Sequence, residues 1–115
     1  MKPTPALSGP LLAEFELLVL LAVLQIGDAA YPIAIRDAIE QRTGRRASRA
    51  AVFITLERLE EKGLVSSRYG DPTPVRGGRA KRFFTPTPAG LAAVKRSVAM
   101  VSSMTAGLEA LLRKS

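Results

Sequence analysis

The stretch RGGRAKRFF, residues 76–84, sets Arg76, Arg79, Lys81 and Arg82 around the paired glycines Gly77 and Gly78 and then runs into Phe83 and Phe84. A second basic cluster, Arg42, Arg45, Arg46 and Arg49, surrounds a helix-start signal at Ser48, with no acidic residue between positions 41 and 56. Cations beside a backbone that can approach closely are suited to phosphate contact. Any one of these side chains alone would read as a solvated surface charge. Two clusters on one small chain point to a polyanion.

Other chemistries are poorly supplied. The 115 residues contain no cysteine and no histidine. Disulfides, thiolate metal sites and the commonest general base near neutral pH are therefore absent. The acidic residues cluster only along helix faces, and no glycine-rich loop precedes a helix in the manner of a nucleotide cradle. No enzyme, metal site or cofactor is expected. The formal net charge is +7 and the pI about 10.6, which favours nucleic acid first and an acidic membrane surface second. The apolar run Leu17–Leu24 is too short to cross a bilayer, and Glu14 and Glu16 precede it where a signal peptide would carry positive charge. A cytoplasmic, soluble protein with no membrane association is expected.

The elements that must carry the two clusters follow from punctuation and periodicity. At 47% hydrophobic and 23% charged the chain suits one compact domain. Residues 1–10, MKPTPALSGP, read as a loose arm whose Ser8 or Gly9 caps a first helix, with Pro10 in its first turn. That helix runs to about Gln25 and is apolar around most of its circumference. Pro32 opens a second helix with Ile35 and Ile39 on one face, and Gly44 stops it. Ser48 caps a third, whose buried stripe is Val52, Leu56 and Leu59. Residues 64–69 and 80–85 read as strands joined by GDPTPVRGGR. Thr87 then caps a last helix with Pro88 in its first position, running to about Arg113.

Three helices followed by a two-stranded hairpin form a winged helix-turn-helix, mostly α with a small β-hairpin. The helix starting at Ser48 is the one that enters a major groove, N-terminal end first. Arg45, Arg46, Ser48 and Arg49 lie at that end, while Glu57, Glu60 and Glu61 would repel phosphate farther along. Ala50 and Ile54 point away from the stripe. Ile54 suits either a thymine methyl or packing against the wing or a second copy. Phe53, on the flank, reads more as partial core. In the wing, Phe83 and Phe84 point to opposite faces, so at least one anchors the hairpin.

The last helix repeats Leu91, Val94, Val98, Val101, Thr105, Leu108 and Leu112 in steps of three and four. Together with Leu17, Leu20 and Leu21 of the first helix this seam predicts a homodimer, although packing within the chain explains the same pattern. The expected organisation is an arm (1–10), a winged-helix domain (11–86) and a C-terminal dimerisation helix (87–115).

With LLVLLAVLQIGDAAYPIAI, TLERLEEKGLVSS, the RGGRAKRFF wing and the following TPAG in this order and spacing, the sequence resembles the PadR family of bacterial transcriptional regulators, from about Glu14 to Leu112. The resemblance implies a dimeric winged-helix protein, commonly a repressor, binding double-stranded DNA and often released by a small-molecule effector. It also assigns Arg49, Phe53 and Ile54 to the recognition helix and Gly77, Gly78, Arg79 and Lys81 to the wing. The chain departs from the family pattern at Phe53 and at Phe83 and Phe84, where tyrosines are common, and at Pro86, where leucine is usual. The phosphate contact of the Phe53 position is therefore not carried over. A single C-terminal helix implies a short form without a larger effector domain. Met100, Met104 and Leu108 could line an effector pocket or simply a dimer core. The reading from another class is a winged helix that binds protein instead of nucleic acid.

Overall fold

The computed structural model describes residues 12–70 and 80–114. Five α-helices and one hairpin follow in the order α1 (Glu14–Ile26), α2 (Pro32–Thr43), α3 (Arg49–Glu61), β1 (Val65–Tyr69), β2 (Arg82–Pro86), α4 (Pro88–Thr105) and α5 (Glu109–Arg113).

Local chemistry sets most of these boundaries. Ser48 caps α3, its Oγ accepting the Ala51 N–H at 3.0 Å, and Thr87 caps α4 in the same way through the Gly90 N–H, also at 3.0 Å. Pro32 and Pro88 occupy first-turn positions, where a missing N–H leaves no intrahelical bond unmade. Gly44, at φ +75°, closes α2.

Two helices depart from expectation. The first begins at Glu14, later than the Pro10 start anticipated; the Ser8 and Gly9 caps fall outside the described residues. Its N-cap, Ala13, has no side-chain oxygen, and Glu16 reaches back to accept the Ala13 N–H at 2.9 Å. The last helix is two helices. Thr105 Oγ1 donates to the Ser102 carbonyl at 3.2 Å, Gly107 adopts φ +88°, and Glu109 Oε1 accepts the Gly107 N–H at 3.2 Å. The α-helical ladder ends at the Ala106 N–H, which donates to the Ser102 carbonyl at 3.1 Å, and helix resumes only at Glu109.

The core lies where α1, α2, α3, the hairpin and the start of α4 meet. Val19, Leu20 and Val23 from α1, Ile35, Val52, Leu56, Leu59 and Phe84 are all fully buried, and Ala93 and Val94 of α4 close the cluster. The α2 face and the α3 stripe thus fall as the periodicity predicts. Leu20 (0% exposed) and Val94 (5%) correct the dimer assignment: both are spent inside their own chain and cannot also meet a partner.

The hairpin is antiparallel, with Ser67 opposite Phe84 and Tyr69 opposite Arg82 as the last pair before the tip. Phe84 faces the core, and its N–H donates to the Ala30 carbonyl at 2.8 Å, tying the outer edge of β2 to the α1–α2 connection. Phe83 takes the other face and packs edge-on against Tyr31, ring centroids 6.0 Å apart. At the other end, the Leu64 carbonyl accepts the Thr87 N–H at 3.1 Å and the Gly63 carbonyl accepts Thr87 Oγ1 at 2.7 Å. The base of the hairpin is therefore anchored on both sides.

Candidate nucleic-acid interface

The N-terminal turn of α3, the start of α2 and the tip-side end of the hairpin meet around an open groove of about 420 Å³. Tyr31, just before α2, and Ile33 within it line the groove with Arg49, Ala50 and Phe53 of α3 and Lys81 and Arg82 of the hairpin. The burial of Val52, Leu56 and Leu59 turns the opposite face of α3 outward. Arg49 and Ala50 are exposed, as are Phe53 (42%) and Ile54 (55%). Phe53 is thus more open than a partial core position, because the hairpin stands far enough away to leave the groove between them.

The cations expected to touch phosphate are not equally placed. Arg46 is almost wholly exposed, at 91%, with Glu40 only at 3.6 Å. Lys81 is exposed, its Nζ 4.3 Å from the Tyr31 ring centroid, so the ammonium is held on the groove wall by an aromatic face. Arg45 is partly engaged: Nη1 meets Glu14 at 2.6 Å and the guanidinium lies over Phe15. Arg76, Gly77, Gly78 and Arg79 lie outside the described residues.

Arg82 is different, and its placement corrects the expectation of a phosphate contact. Its side chain is only 18% exposed. The two terminal nitrogens bond Glu57 and Glu60 of α3, and Nε donates to Ser67 Oγ at 3.1 Å. The rings of Phe53, Tyr69 and Phe84 surround the guanidinium. Burial alone would lower its proton affinity. The hydrogen bond to Glu57 and the charges of Glu57 and Glu60 outweigh burial and raise it, so Arg82 stays cationic. The strand alternation that turns Phe84 inward places Arg82, two residues earlier, on the same side; that signal was in the sequence.

Two further residues of the site were not singled out from the sequence. Tyr31 precedes Pro32 and walls the groove. Arg68, exposed on β1, lies over Phe83 and donates to the Asp28 carbonyl at 3.3 Å; only its place beside the expected wing hinted at it.

Leu91 (40%), Val98 (48%), Val101 (58%), Leu108 (43%) and Leu112 (60%) leave an apolar strip exposed along α4 and α5, joined by Met104 (79%) and Leu111 (64%). Leu17 and Leu21 of α1 are half-buried. Leu17 shares a groove of about 360 Å³ with Leu12, Met100 and Val101. Among the described residues no helix is long and apolar enough to cross a membrane.

Comparison with known proteins agrees with this architecture. Solved structures with the same fold include a PadR family transcriptional regulator from Eggerthella lenta DSM 2243, at 21% identity and TM-score 0.65, covering 85% of this chain and 83% of that one. A PadR-like regulator from Bacillus cereus ATCC 14579 aligns at 14% identity and TM-score 0.65, covering 88% and 93%. A PadR family regulator from Clostridium difficile R20291 aligns at 21% identity and TM-score 0.64, covering 84% and 97%. No curated protein matches the sequence significantly. The model of the transcriptional regulator PadR-like family matches residues 20–96, a span from the middle of α1 through α2, α3 and the hairpin to the first half of α4. The chain therefore belongs to the PadR-like family, a family of transcriptional regulators and not of enzymes.

Proposed function

We propose that this regulator binds duplex DNA sequence-specifically, as a homodimer on an inverted repeat, and acts as a repressor released by a small-molecule effector. The observation that carries the reading is the Ser48-capped start of α3, which presents Arg49, Ala50 and Ile54 beside Lys81 with no acidic side chain in its first turn. A helix end with that chemistry docks into a major groove: Arg49 can reach a guanine edge, and Ile54 a thymine methyl. Arg46 and Lys81 flank it and meet the phosphates. On this account residues 11–86 read the DNA and residues 87–115 dimerise. The strip along α4 and α5 is covered by a second copy, because apolar side chains in such number gain stability by leaving water. The effector binds in the groove of Leu12, Leu17, Met100 and Val101, which shares Val101 with that strip.

Exposed Phe53 and Ile54 would also suit a protein partner, and salt separates the two readings. Duplex binding should weaken steeply as salt rises, because phosphate contacts release counterions, and preference for one sequence should survive at high salt. Weak binding without sequence preference would support the protein-interaction reading instead.

A further inference from the structure

The network around Arg82 joins three elements within a few ångströms. Glu57 and Glu60 come from α3, Ser67 from β1 and Arg82 from β2. Ser67 Oγ donates to Glu60 at 2.6 Å while it accepts Arg82 Nε. Tyr69 and Arg82 form the last paired rung of the hairpin, and beyond it only the Gly70 N–H, bonded to the Lys81 carbonyl at 2.8 Å, continues the ladder among the described residues. The core contact of Phe84 and the bonds of Thr87 hold the other end of the hairpin. Arg82 is thus the rung nearest the tip that is tied to α3.

We infer that Arg82 is a positioning residue: it fixes the angle between the wing and the recognition helix, so that both meet one duplex in register. The inference rests on the DNA-reading function proposed above. Its geometry favours this role over direct contact. A guanidinium whose terminal nitrogens each engage a different carboxylate is a planar, two-point brace that an ammonium cannot reproduce. The same pairing offsets one of the two negative charges that would otherwise face approaching phosphates from the side of α3.

The chain has no cysteine, so spin labels can be placed on cysteines introduced at the exposed residues Arg58 of α3 and Ser66 of β1. Four proteins are compared at full length: unaltered, Arg82→Gln, Arg82→Lys, and Arg82→Gln combined with Glu57→Gln and Glu60→Gln. The label-to-label distance distribution should broaden in Arg82→Gln and in the triple variant, and lie between in Arg82→Lys. Binding is then measured on a selected operator and on a scrambled duplex. The triple variant should bind the scrambled duplex at least as well as the unaltered protein, because a local charge of −1 has become zero. Its preference for the operator should nevertheless fall about tenfold, a coupling typical of residues within one network. Distances as narrow as in the unaltered protein, or full operator preference in the triple variant, would overturn the inference. So would an equal loss on every duplex with a salt slope lowered by about 1, the mark of a phosphate contact. Should Arg82→Gln fail to fold, Arg82→Lys carries the same comparison. If the unaltered protein prefers no sequence, the DNA-reading function fails, while the label distances still decide whether Arg82 is the brace.

Discussion

The Leu64 carbonyl oxygen lies where a side chain on Gly90 would begin: a Cβ built on Gly90 would stand 2.0 Å from it. The start of α4 is pressed against the base of the hairpin at that point, and only a glycine allows the approach. Gly90→Ala should destabilise the fold by about 2–4 kcal/mol, in the range of backbone clashes in packed sites. Urea unfolding of the two proteins measures it. Equal midpoints would mean that α4 can shift away from Leu64 at little cost.

The pair Glu16–Lys62 predicts an acid-side dependence of stability. Glu16 is 5% exposed and its Oε2 lies 2.7 Å from Lys62 Nζ. Burial alone would push the carboxyl up. The Lys62 hydrogen bond, the Ala13 N–H and the charges of Lys62 and Arg58 outweigh burial and hold it below the ordinary value. A lowered folded value means that the stabilisation is complete above the unfolded pKa, about 4.3 for glutamate, and is lost as pH falls from there through the lower folded value. Lys62→Ala should lower stability by about 1–2 kcal/mol at neutral pH, less than for a fully buried pair because Lys62 is half in water. The difference between the two proteins should shrink as pH drops through that window. A constant difference from neutral to acid would show that Lys62 acts by packing and not by charge.

Along α4, neighbouring valines should behave oppositely. Val94 is buried in its own chain, so Val94→Glu should unfold the protein. Val98 is 48% exposed, so Val98→Glu should leave the fold intact and yield a monomer, because the new charge would be stranded at the contact with the second copy. Operator affinity should fall steeply through lost bivalency, though no DNA-facing residue has changed. Sedimentation and circular dichroism on one sample check both parts. A Val98→Glu protein that remains dimeric would place the contact elsewhere.

Much of the frame could be read from punctuation. Pro32, Gly44, Ser48, Thr87 and Pro88 each act through a backbone group within a few residues, and the α3 stripe repeats at the helical period. What stayed hidden depends on distance or on degeneracy. Glu57 and Glu60 lie 25 and 22 positions from Arg82 in the chain, so nothing local signals the brace. An apolar pattern all around α1 does not say which leucines face inward, so Leu20 suits a dimer contact in the sequence as well as the core it occupies. The break after Thr105 rests on one threonine and one glycine that a continuous helix would tolerate. Within the candidate groove, the places of Arg49, Ala50 and Lys81 follow from the cap at Ser48 and the wing pattern, whereas the pairing of Arg82 with Glu57 and Glu60 does not.

The flanking cations should separate from the reading ones. Lys81→Ala and Arg46→Ala should each weaken binding to all duplexes alike, with the slope of log affinity against log salt reduced by about 1. Arg49→Ala should relax preference at one position per half-site, at about 1–3 kcal/mol. Titrations on operator and single-base variants across a salt series resolve the two patterns. A uniform loss for Arg49→Ala would move that residue to the phosphate group.

Footprinting on duplexes selected from a random pool tests the central claim most directly. A two-fold dimer with one recognition helix per chain should protect two inverted half-sites whose centres lie roughly 10 base pairs, one helical turn, apart. Protection of one asymmetric half-site, or of every sequence without preference, would contradict it.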